Sequence, residues 1–393
     1  MEIIFVGSTV DRETLKGLPD ASVAGNKMEL GFIKGFLSND IKTIGISVET
    51  HGMWKLNKKP ICVKEKCLKE DSASLNTVSY INLPVIKQCS IYRSIYYKIR
   101  HELDKRKTEN NDKREVILIV YNTMSIFAGP VLRAAKRENC KCVAVVADLP
   151  IKNKKNIIRR IEDRRQEAYI SKFDGLIPLT KYIAHDFAPG KPYCLVEAGC
   201  DPLDYRNSNN TSEILSRKKV VFSGTLNELS GIDLILNAMK YVSFGIELDI
   251  YGDGPYRELV ENVSKNQMNV NYHGRVSNDE MIRIQKKASL LVCPRHVDDY
   301  TTKYTFPSKI LEYICAGVPV LSNRLRGIPL EYENYITFSK SESPKDWAES
   351  INTIVLYNNK YYCEKAEMAQ KAVLKNKSWE NQCKRVIDFL KVL

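Results

Sequence analysis

The chain reads as an α/β protein made of two doubly wound domains of similar size. Three observations lead there. Its 393 residues are about twice the length of an ordinary domain. Apolar runs of about five residues alternate with helical stretches, which indicates βαβ units and a parallel sheet. The alternation stops in an Asn- and Ser-rich interval, 201–217, and then restarts. The expected division is a first domain over 1–200, a linker over 201–217, a second domain over 218–375, and a C-terminal helix over 376–393 packing back on the first domain. Such folds bind ligands beyond the carboxyl ends of their strands, and two of them facing each other make a cleft.

In the first half, Ile3 to Val6 reads as a buried strand ending at Gly7-Ser8-Thr9, Asn26 to Leu37 as a helix and Ile41 to Val48 as the next strand. Residues 55–75 are lysine-rich and aperiodic, and read as a surface excursion. A short apolar stretch, Val78 to Val85, leads to a helix from Ser90 to Lys105, and the charged run Lys105 to Arg114 reads as a loop. Strand Val116 to Tyr121, helix Ile126 to Arg137, strand Cys142 to Val146 and helix Lys154 to Ser171 follow. Gly175 to Leu179, a short helix through Ala184, and Tyr193 to Val196 close the unit. In the second half, strands are expected at Val220 to Phe222, Glu247 to Tyr251, Asn269 to His273, Leu290 to Cys293 and Val318 to Ser322. Helices alternate with them at Gly231 to Met239, Tyr256 to Asn266, Asn278 to Lys286 and Lys309 to Ala316. Helical sequence then runs from Pro344 to Lys375 and from Trp379 to Leu390.

Composition narrows the classes. Hydrophobic residues at 44%, charged residues at 27%, 15 Pro and 19 Gly exclude a fibrous or largely disordered chain. No run approaches 18 apolar residues, so no membrane span is expected. The start, Met-Glu-Ile-Ile-Phe-Val-Gly, enters strand pattern directly and lacks the marks of a secretory leader. Eleven scattered cysteines read as free thiols in a reducing, cytoplasmic setting. The formal charge of +13 attracts nucleic acid, anionic lipid or phosphorylated small molecules, and composition alone does not choose among them.

The chemistry-bearing segments of the second half fall in loops after expected strands. They are Phe222-Ser223-Gly224-Thr225, Tyr251-Gly252-Asp253-Gly254-Pro255, His273-Gly274-Arg275-Val276, and Tyr304-Thr305-Phe306-Pro307-Ser308-Lys309 leading into Glu312-Tyr313. Gly252 and Gly254 allow close backbone approach ahead of a helix. Pro307 suits the first helical position, because the N–H it lacks would be unpaired there. The amides of Ser308 and Lys309 would then lie at the positive end of the helix, beside a hydroxyl and an ammonium, as a diphosphate site. Glu312 falls one turn deeper on the same face, where a carboxylate can accept from the vicinal diol of a ribose. The alternative is an ordinary capped helix with a solvated glutamate.

Taken jointly and in order, these motifs, continued by Ala316-Gly317-Val318-Pro319-Val320, resemble the donor domain of the family-four retaining glycosyltransferases, enzymes of the two-domain GT-B fold. The likeness is strong over residues 219–335 and weaker elsewhere. It implies that Glu312 holds the donor ribose, that the backbone near Arg275 and Val276 reads the base, and that the Pro307-Ser308-Lys309 turn holds the diphosphate. Gly224, Thr225, Gly252, Gly254 and Tyr304 complete the implied nucleotide site. The chain departs from the family at three positions. Tyr304 stands where the first glutamate of the family's pair belongs, and Thr225 and Ser230 replace its phosphate-binding arginine and lysine. Lys309, Lys303 and Arg295 are the nearby cations that could compensate the leaving charge. The proline-serine-lysine variant resembles a subgroup acting in surface-polysaccharide assembly.

The same resemblance implies that the first domain binds the acceptor. Gly7 lies in a loop after the first strand; Asn26 either caps the next helix or contacts a sugar hydroxyl; His51 is either a contact or an exposed loop residue. Asp148, after the strand Cys142 to Val146, either lines the reaction centre from the acceptor side or caps the following helix. Asp148, Lys309 and Glu312 are thus the catalytic candidates. No carboxylate pair suits a metal, and His296, Asp298 and Asp299 are a weak alternative, so no metal and no resident cofactor are expected. The charge concentrates at Lys152, Lys154, Lys155, Arg159, Arg160, Arg164 and Arg165, interleaved with Ile157, Ile158 and Ile161. This pattern fits an anionic membrane surface or a solvated helix face. No nucleic-acid-binding signature accompanies it. The expected function is retaining transfer of a sugar from a nucleotide-diphosphate-sugar to a saccharide or polyprenyl-diphosphate-linked acceptor in bacterial surface-polysaccharide synthesis, at the inner face of the membrane. A non-catalytic saccharide or nucleotide-sugar binder and a GT-B-fold epimerase are the alternatives.

Overall fold

The computed structural model describes residues 1–18, 21–52, 60–109, 115–150, 157–205, 218–298, 300–357 and 359–393. They form two compact units, Met1–Gly199 with Trp379–Leu393, and Cys200–Ser378. Most of the expected linker, 206–217, lies outside the described residues, as do Asp299, Lys152, Lys154 and Lys155.

The first unit runs β1 (Glu2–Gly7), α1 (Arg12–Lys16), α2 (Val23–Leu37), β2 (Thr43–Ser47), β3 (Cys62–Val63), β4 (Cys67–Glu70), β5 (Ala73–Thr77), β6 (Tyr80–Ile81), α3 (Ile86–Glu109), β7 (Val116–Tyr121), α4 (Ser125–Glu138), β8 (Lys141–Val146), α5 (Ile157–Ile170), β9 (Gly175–Pro178) and α6 (Lys181–Phe187). A seven-stranded sheet has the order β4-β5-β2-β1-β7-β8-β9. All its pairs are parallel except β4–β5. Ile3 to Val6, Ile117 to Val120 and Val143 to Val146 are buried almost completely. That is why these strands read as unbroken apolar runs rather than alternations.

Four expectations for this unit are corrected. Residues 67–77 are not a loose excursion but an antiparallel hairpin, Leu68 opposite Leu75, turning at Asp71 with φ 53°. Its signal was a weak alternation: Ala73, Leu75 and Thr77 are buried while Ser74 and Asn76 are only half so. The charged run after Lys105 continues α3 to Glu109, with Lys107 on Glu138 at 2.7 Å; charges at helical spacing do not end a helix when they find partners. The segment after Pro192 makes one bridge, Leu176 to Tyr193, and no strand. Finally, α2 begins at Val23, capped by Ser22, whose hydroxyl accepts from the Gly25 amide.

The helix Trp379–Lys391 packs on α2. Trp379 lies so close that a Cβ on Gly31 would fall 2.0 Å from its ring, and the Phe32 and Trp379 rings are 5.1 Å apart. The glycines at 31 and 35 open the groove that receives it.

The second unit runs β10 (Lys219–Thr225), α7 (Ile232–Ala238), β11 (Glu247–Asp253), α8 (Arg257–Asn266), β12 (Val270–Gly274), α9 (Asn278–Lys286), β13 (Leu290–Cys293), α10 (Thr301–Tyr304), α11 (Ser308–Cys315), β14 (Val320–Ser322), β15 (Thr337–Phe338), α12 (Pro344–Asn352) and α13 (Asn359–Asn376). The chain then returns to the first unit as α14 (Trp379–Lys391). The six-stranded parallel sheet has the order β12-β11-β10-β13-β14-β15. The single helix expected from Pro344 is broken by a π-helical turn at Thr353–Tyr357. There Ile354 and Val355 are buried in the core formed around Trp347, and keeping them inward is what the widened turn accomplishes.

Candidate functional site

In each unit the strand order reverses at one point, β10 against β13 in the second and β1 against β7 in the first. Adjacent crossovers leave in opposite directions there, opening a crevice at the carboxyl ends. In the second unit that crevice is a cavity of about 320 Å³. Its lining comes from the end of β10 (Ser223, Gly224, Thr225), the turn carrying Ser230, the end of β13 (Cys293, Arg295), and the start of α11 (Pro307, Ser308, Lys309, Tyr313).

α11 is anchored to β10 by Tyr313. Its buried hydroxyl accepts from the Ser223 amide at 3.1 Å and lies 3.1 Å from the Ser223 carbonyl. Burial pushes the Tyr313 phenol well above its ordinary range, so it stays a neutral hydrogen-bonding group. Pro307 is the cap rather than the first helical residue, with ψ 99°, and Ser308 opens the helix. The Ile310 amide already turns back to the Pro307 carbonyl. The amides of Ser308 and Lys309 precede the first intrahelical bond, and both residues line the cavity at the helix end whose dipole favours an anion. The Lys309 ammonium is not loose beside them. It pairs with Glu312 at 2.8 Å, so the two residues form a neutral ion pair on the helix face.

Arg295 follows β13 and lines the same cavity. Its Nε is buried and has no hydrogen-bond partner among the described residues. Burial draws the guanidinium below its usual range, with Cys293 and Asp298 pulling the other way; an arginine remains cationic throughout. The neighbouring His296 is clamped between Glu342 at 3.1 Å and Asp233 at 3.0 Å. Burial alone would lower this imidazole, but hydrogen bonds to both carboxylates outweigh it and raise the group above 6.5. Asp298 accepts from the Tyr300 and Thr301 amides at the start of α10. His296 and Asp298 are therefore committed to loop structure, and among the described residues no group of three His, Cys, Asp or Glu is placed to hold a metal.

The other expected nucleotide residues, Glu312 among them, are not part of the cavity lining. Gly252 (φ 143°) and Gly254 lie at the end of β11, and the close approach they permit is to their own sheet: a Cβ on Gly252 would sit 1.8 Å from the Gly224 carbonyl. Arg275 is exposed and pairs with Asp253 at 3.3 Å, with Val276 half-buried beside it. Tyr304 is buried at the end of α10, its ring 5.2 Å from that of Tyr300.

In the first unit, a residue absent from the expected site lies at the end of β1, beside the β1/β7 reversal. Glu29, from the interior of α2, is fully buried under Gly7. It accepts from the Ser8 amide (2.9 Å), the Ser8 hydroxyl (3.1 Å) and the Thr9 amide (3.2 Å). Burial pushes its pKa up to about 8 against the downward pull of those donors. A carboxylate on the same helix face as Phe32, Ile33 and Phe36 was the available signal.

Asn26 neither caps α2 nor points outward. Its side-chain oxygen accepts from the Val10 amide at 2.7 Å and the Thr9 hydroxyl at 3.0 Å, and its NH2 donates to the Val10 carbonyl. Thus Asn26 and Glu29 together shape the loop after β1. His51 is held against buried Glu49 at 2.9 Å, which also pairs with Lys66 at 2.8 Å. Asp148 is exposed in the loop after β8. It caps no described helix; its own amide and that of Ala147 are fixed by the side-chain oxygen of Asn122, at 3.0 and 2.9 Å. Asn122 itself adopts φ 61°, a conformation asparagine tolerates better than most residues. Such a dihedral is invisible before the fold is known.

Residues 217–356 match the family model described as glycosyl transferases group 1. Over 165 residues, 41% of the chain, the sequence is 28% identical to an uncharacterized glycosyltransferase of Methanocaldococcus jannaschii, and the match spans 44% of that protein's length. Over its full length the chain is similar in fold to Anabaena HepE, solved in complex with UDP, with TM-score 0.68, 12% identity and 100% of both chains covered. It is likewise similar to sucrose-phosphate synthase from Thermosynechococcus elongatus, with TM-score 0.70, 13% identity, and 100% and 99% covered. The fold is therefore that of the GT-B proteins, two Rossmann-like domains in one chain.

Proposed function

We propose that this protein is a glycosyltransferase that moves a sugar, with retention of configuration, from a nucleoside-diphosphate sugar to a saccharide acceptor. The observation that carries the reading is the cavity at the β10/β13 reversal. It gathers Ser308 and Lys309 at the start of α11 with Arg295, where this fold binds ligands, and Glu312 pairs with Lys309 one turn deeper. The group 1 match over the same unit supports it, as do the HepE structures solved with UDP and with UDP-glucose. In the reaction, the bond from the sugar's anomeric carbon to the diphosphate breaks and one to an acceptor hydroxyl forms, the hydroxyl proton passing to the departing phosphate oxygen. Cationic and N–H groups at the cavity stabilise the charge that develops on that oxygen. Glu312 holds the ribose, and Asp148 belongs to the acceptor side. The acceptor we infer is a saccharide or polyprenyl-diphosphate-linked saccharide of surface-polysaccharide assembly.

Nucleotide binding is the first test. Calorimetry with UDP and GDP in buffer containing EDTA should show binding without a metal. Glu312→Ala should weaken it by about 1–3 kcal/mol, as expected when a charged hydrogen-bonding group is removed. A folded variant with unchanged affinity would remove Glu312 from the site, and binding that appears only with added magnesium or manganese would end the metal-free reading.

A lipid-linked acceptor also requires a membrane contact, which we place on α5. Arg159, Arg160, Arg164 and Arg165 are exposed there together with Ile157 and Ile161. Each such cation contributes about 1 kcal/mol near an anionic leaflet, less in high salt. Sedimentation with vesicles of increasing phosphatidylglycerol content should carry down the wild type and not the variant with all four arginines changed to Gln. Equal recovery of the two would leave α5 as a solvated helix face.

A further inference from the structure

We propose that Arg295, in the loop after β13, is the cation that holds the diphosphate in this chain, the cavity residues Thr225 and Ser230 being uncharged. The proposal rests on the donor-site reading above and assigns its electrostatics to one residue.

Thr225 and Ser230 line the cavity, and neither carries charge. Lys309 lines it too, but its ammonium is engaged by Glu312 at 2.8 Å, so the pair brings little net charge to a phosphate. Arg295 is different. It lines the cavity, and its buried Nε has no acceptor among the described residues. A buried guanidinium donor without a partner is costly in the empty protein. An anion in the cavity would satisfy it with the paired N–H geometry that guanidinium offers to phosphate.

The backbone that carries it is held from several sides. The Asn323 side-chain NH2 donates to the Pro294 and Arg295 carbonyls at 3.2 and 2.9 Å, and Asn323 is itself fixed by the Trp347 indole at 2.9 Å. Gly231, with φ 69°, lets the start of α7 press on the same turn, since a Cβ there would lie 1.9 Å from the Pro294 carbonyl. His296 is clamped by Asp233 and Glu342. Three fastenings thus hold the backbone around a residue whose Nε makes no hydrogen bond among the described residues. This is the arrangement of a preorganised binding group, in which little ordering remains for the ligand to impose.

The test is the dissociation constant of the full chain for UDP, GDP and ADP, measured by calorimetry. It compares wild type, Arg295→Gln, Arg295→Lys, and the double variant Arg295→Gln with Thr225→Arg. For whichever nucleotide the wild type binds, Arg295→Gln should weaken affinity roughly tenfold to a hundredfold, the range for charged hydrogen bonds. Arg295→Lys should fall between, and the double variant should recover at least part of the loss by restoring a cation to the cavity wall. A structural role alone would give no recovery from Thr225→Arg. Unchanged affinity in a folded Arg295→Gln protein, or, should that variant not fold, unchanged affinity in Arg295→Lys, overturns the assignment and leaves the donor site standing. A wild type that binds none of the three nucleotides overturns the donor site and the assignment together.

Discussion

The first unit is expected to lose stability as pH rises from about 5 to 8, and Glu29→Gln to remove most of that loss. The cause is the burial of Glu29, which moves its pKa from 4.5 to about 8 in the folded chain. Below 4.5 both states hold the proton and the residue contributes no pH dependence. Between the two values the unfolded chain gives up its proton while the folded chain keeps it. Ionisation therefore favours unfolding by about 1.4 kcal/mol per pH unit, several kcal/mol over the interval. Above about 8 both states are ionised and the slope ends.

The glutamine variant keeps the geometry. Its carbonyl oxygen accepts from the Ser8 and Thr9 amides as Oε2 does now, and its NH2 donates to the Ser8 hydroxyl. Other groups titrate equally in both proteins, so the readout is the difference between their urea-unfolding free energies across pH, following the first unit's transition. Parallel pH profiles would show that Glu29 is ionised in the fold and that its three donors outweigh burial.

Gly252→Ala is expected to cost the second unit about 2–5 kcal/mol, combining a backbone conformation that L residues rarely adopt with a steric collision. At φ 143° its Cβ would stand 1.8 Å from the Gly224 carbonyl, across the β10–β11 pair. The two strand ends would have to separate, and Gly224 would carry the disturbance into the cavity wall. Gly274→Ala is the control. It has φ 72° but nothing within 4 Å of the added Cβ, so only the left-handed strain of about 1–2 kcal/mol applies. Denaturant unfolding of the two variants should separate them clearly. Equal costs would mean that the β10–β11 contact relaxes freely and that dihedral strain is the whole effect.

The βαβ order was legible from sequence because it is written in local periodicity. The central strands of both sheets are short, doubly buried apolar runs, and Gly/Pro punctuation marks most of their ends. The turn into α11 was legible for the same reason, since Pro307-Ser308-Lys309 sits at a helix start whichever tertiary contacts surround it. Weakly patterned elements were not. The β4–β5 hairpin at the sheet edge alternates polar residues with a few apolar ones, Leu68 and Leu75 among them, and its strand character comes from pairing with β2. The π-turn at Thr353–Tyr357 answers to the core around Trp347 rather than to its own sequence.

Apart from the Lys309–Glu312 pair, which one turn of α11 makes locally, the electrostatics of the site were decided by tertiary structure. The sequence by itself determined which ionisable groups exist and roughly which strand end each follows. It did not determine that His296 is taken up by Asp233 and Glu342, that Arg295 is left with an unpaired buried Nε, or that Glu29 lies under Gly7. The partners of His296 and Glu29 come from distant segments, and burial is a property of the packed sheet and helices together. Desolvation and pairing set what a charged group can do, and neither exists until those segments meet.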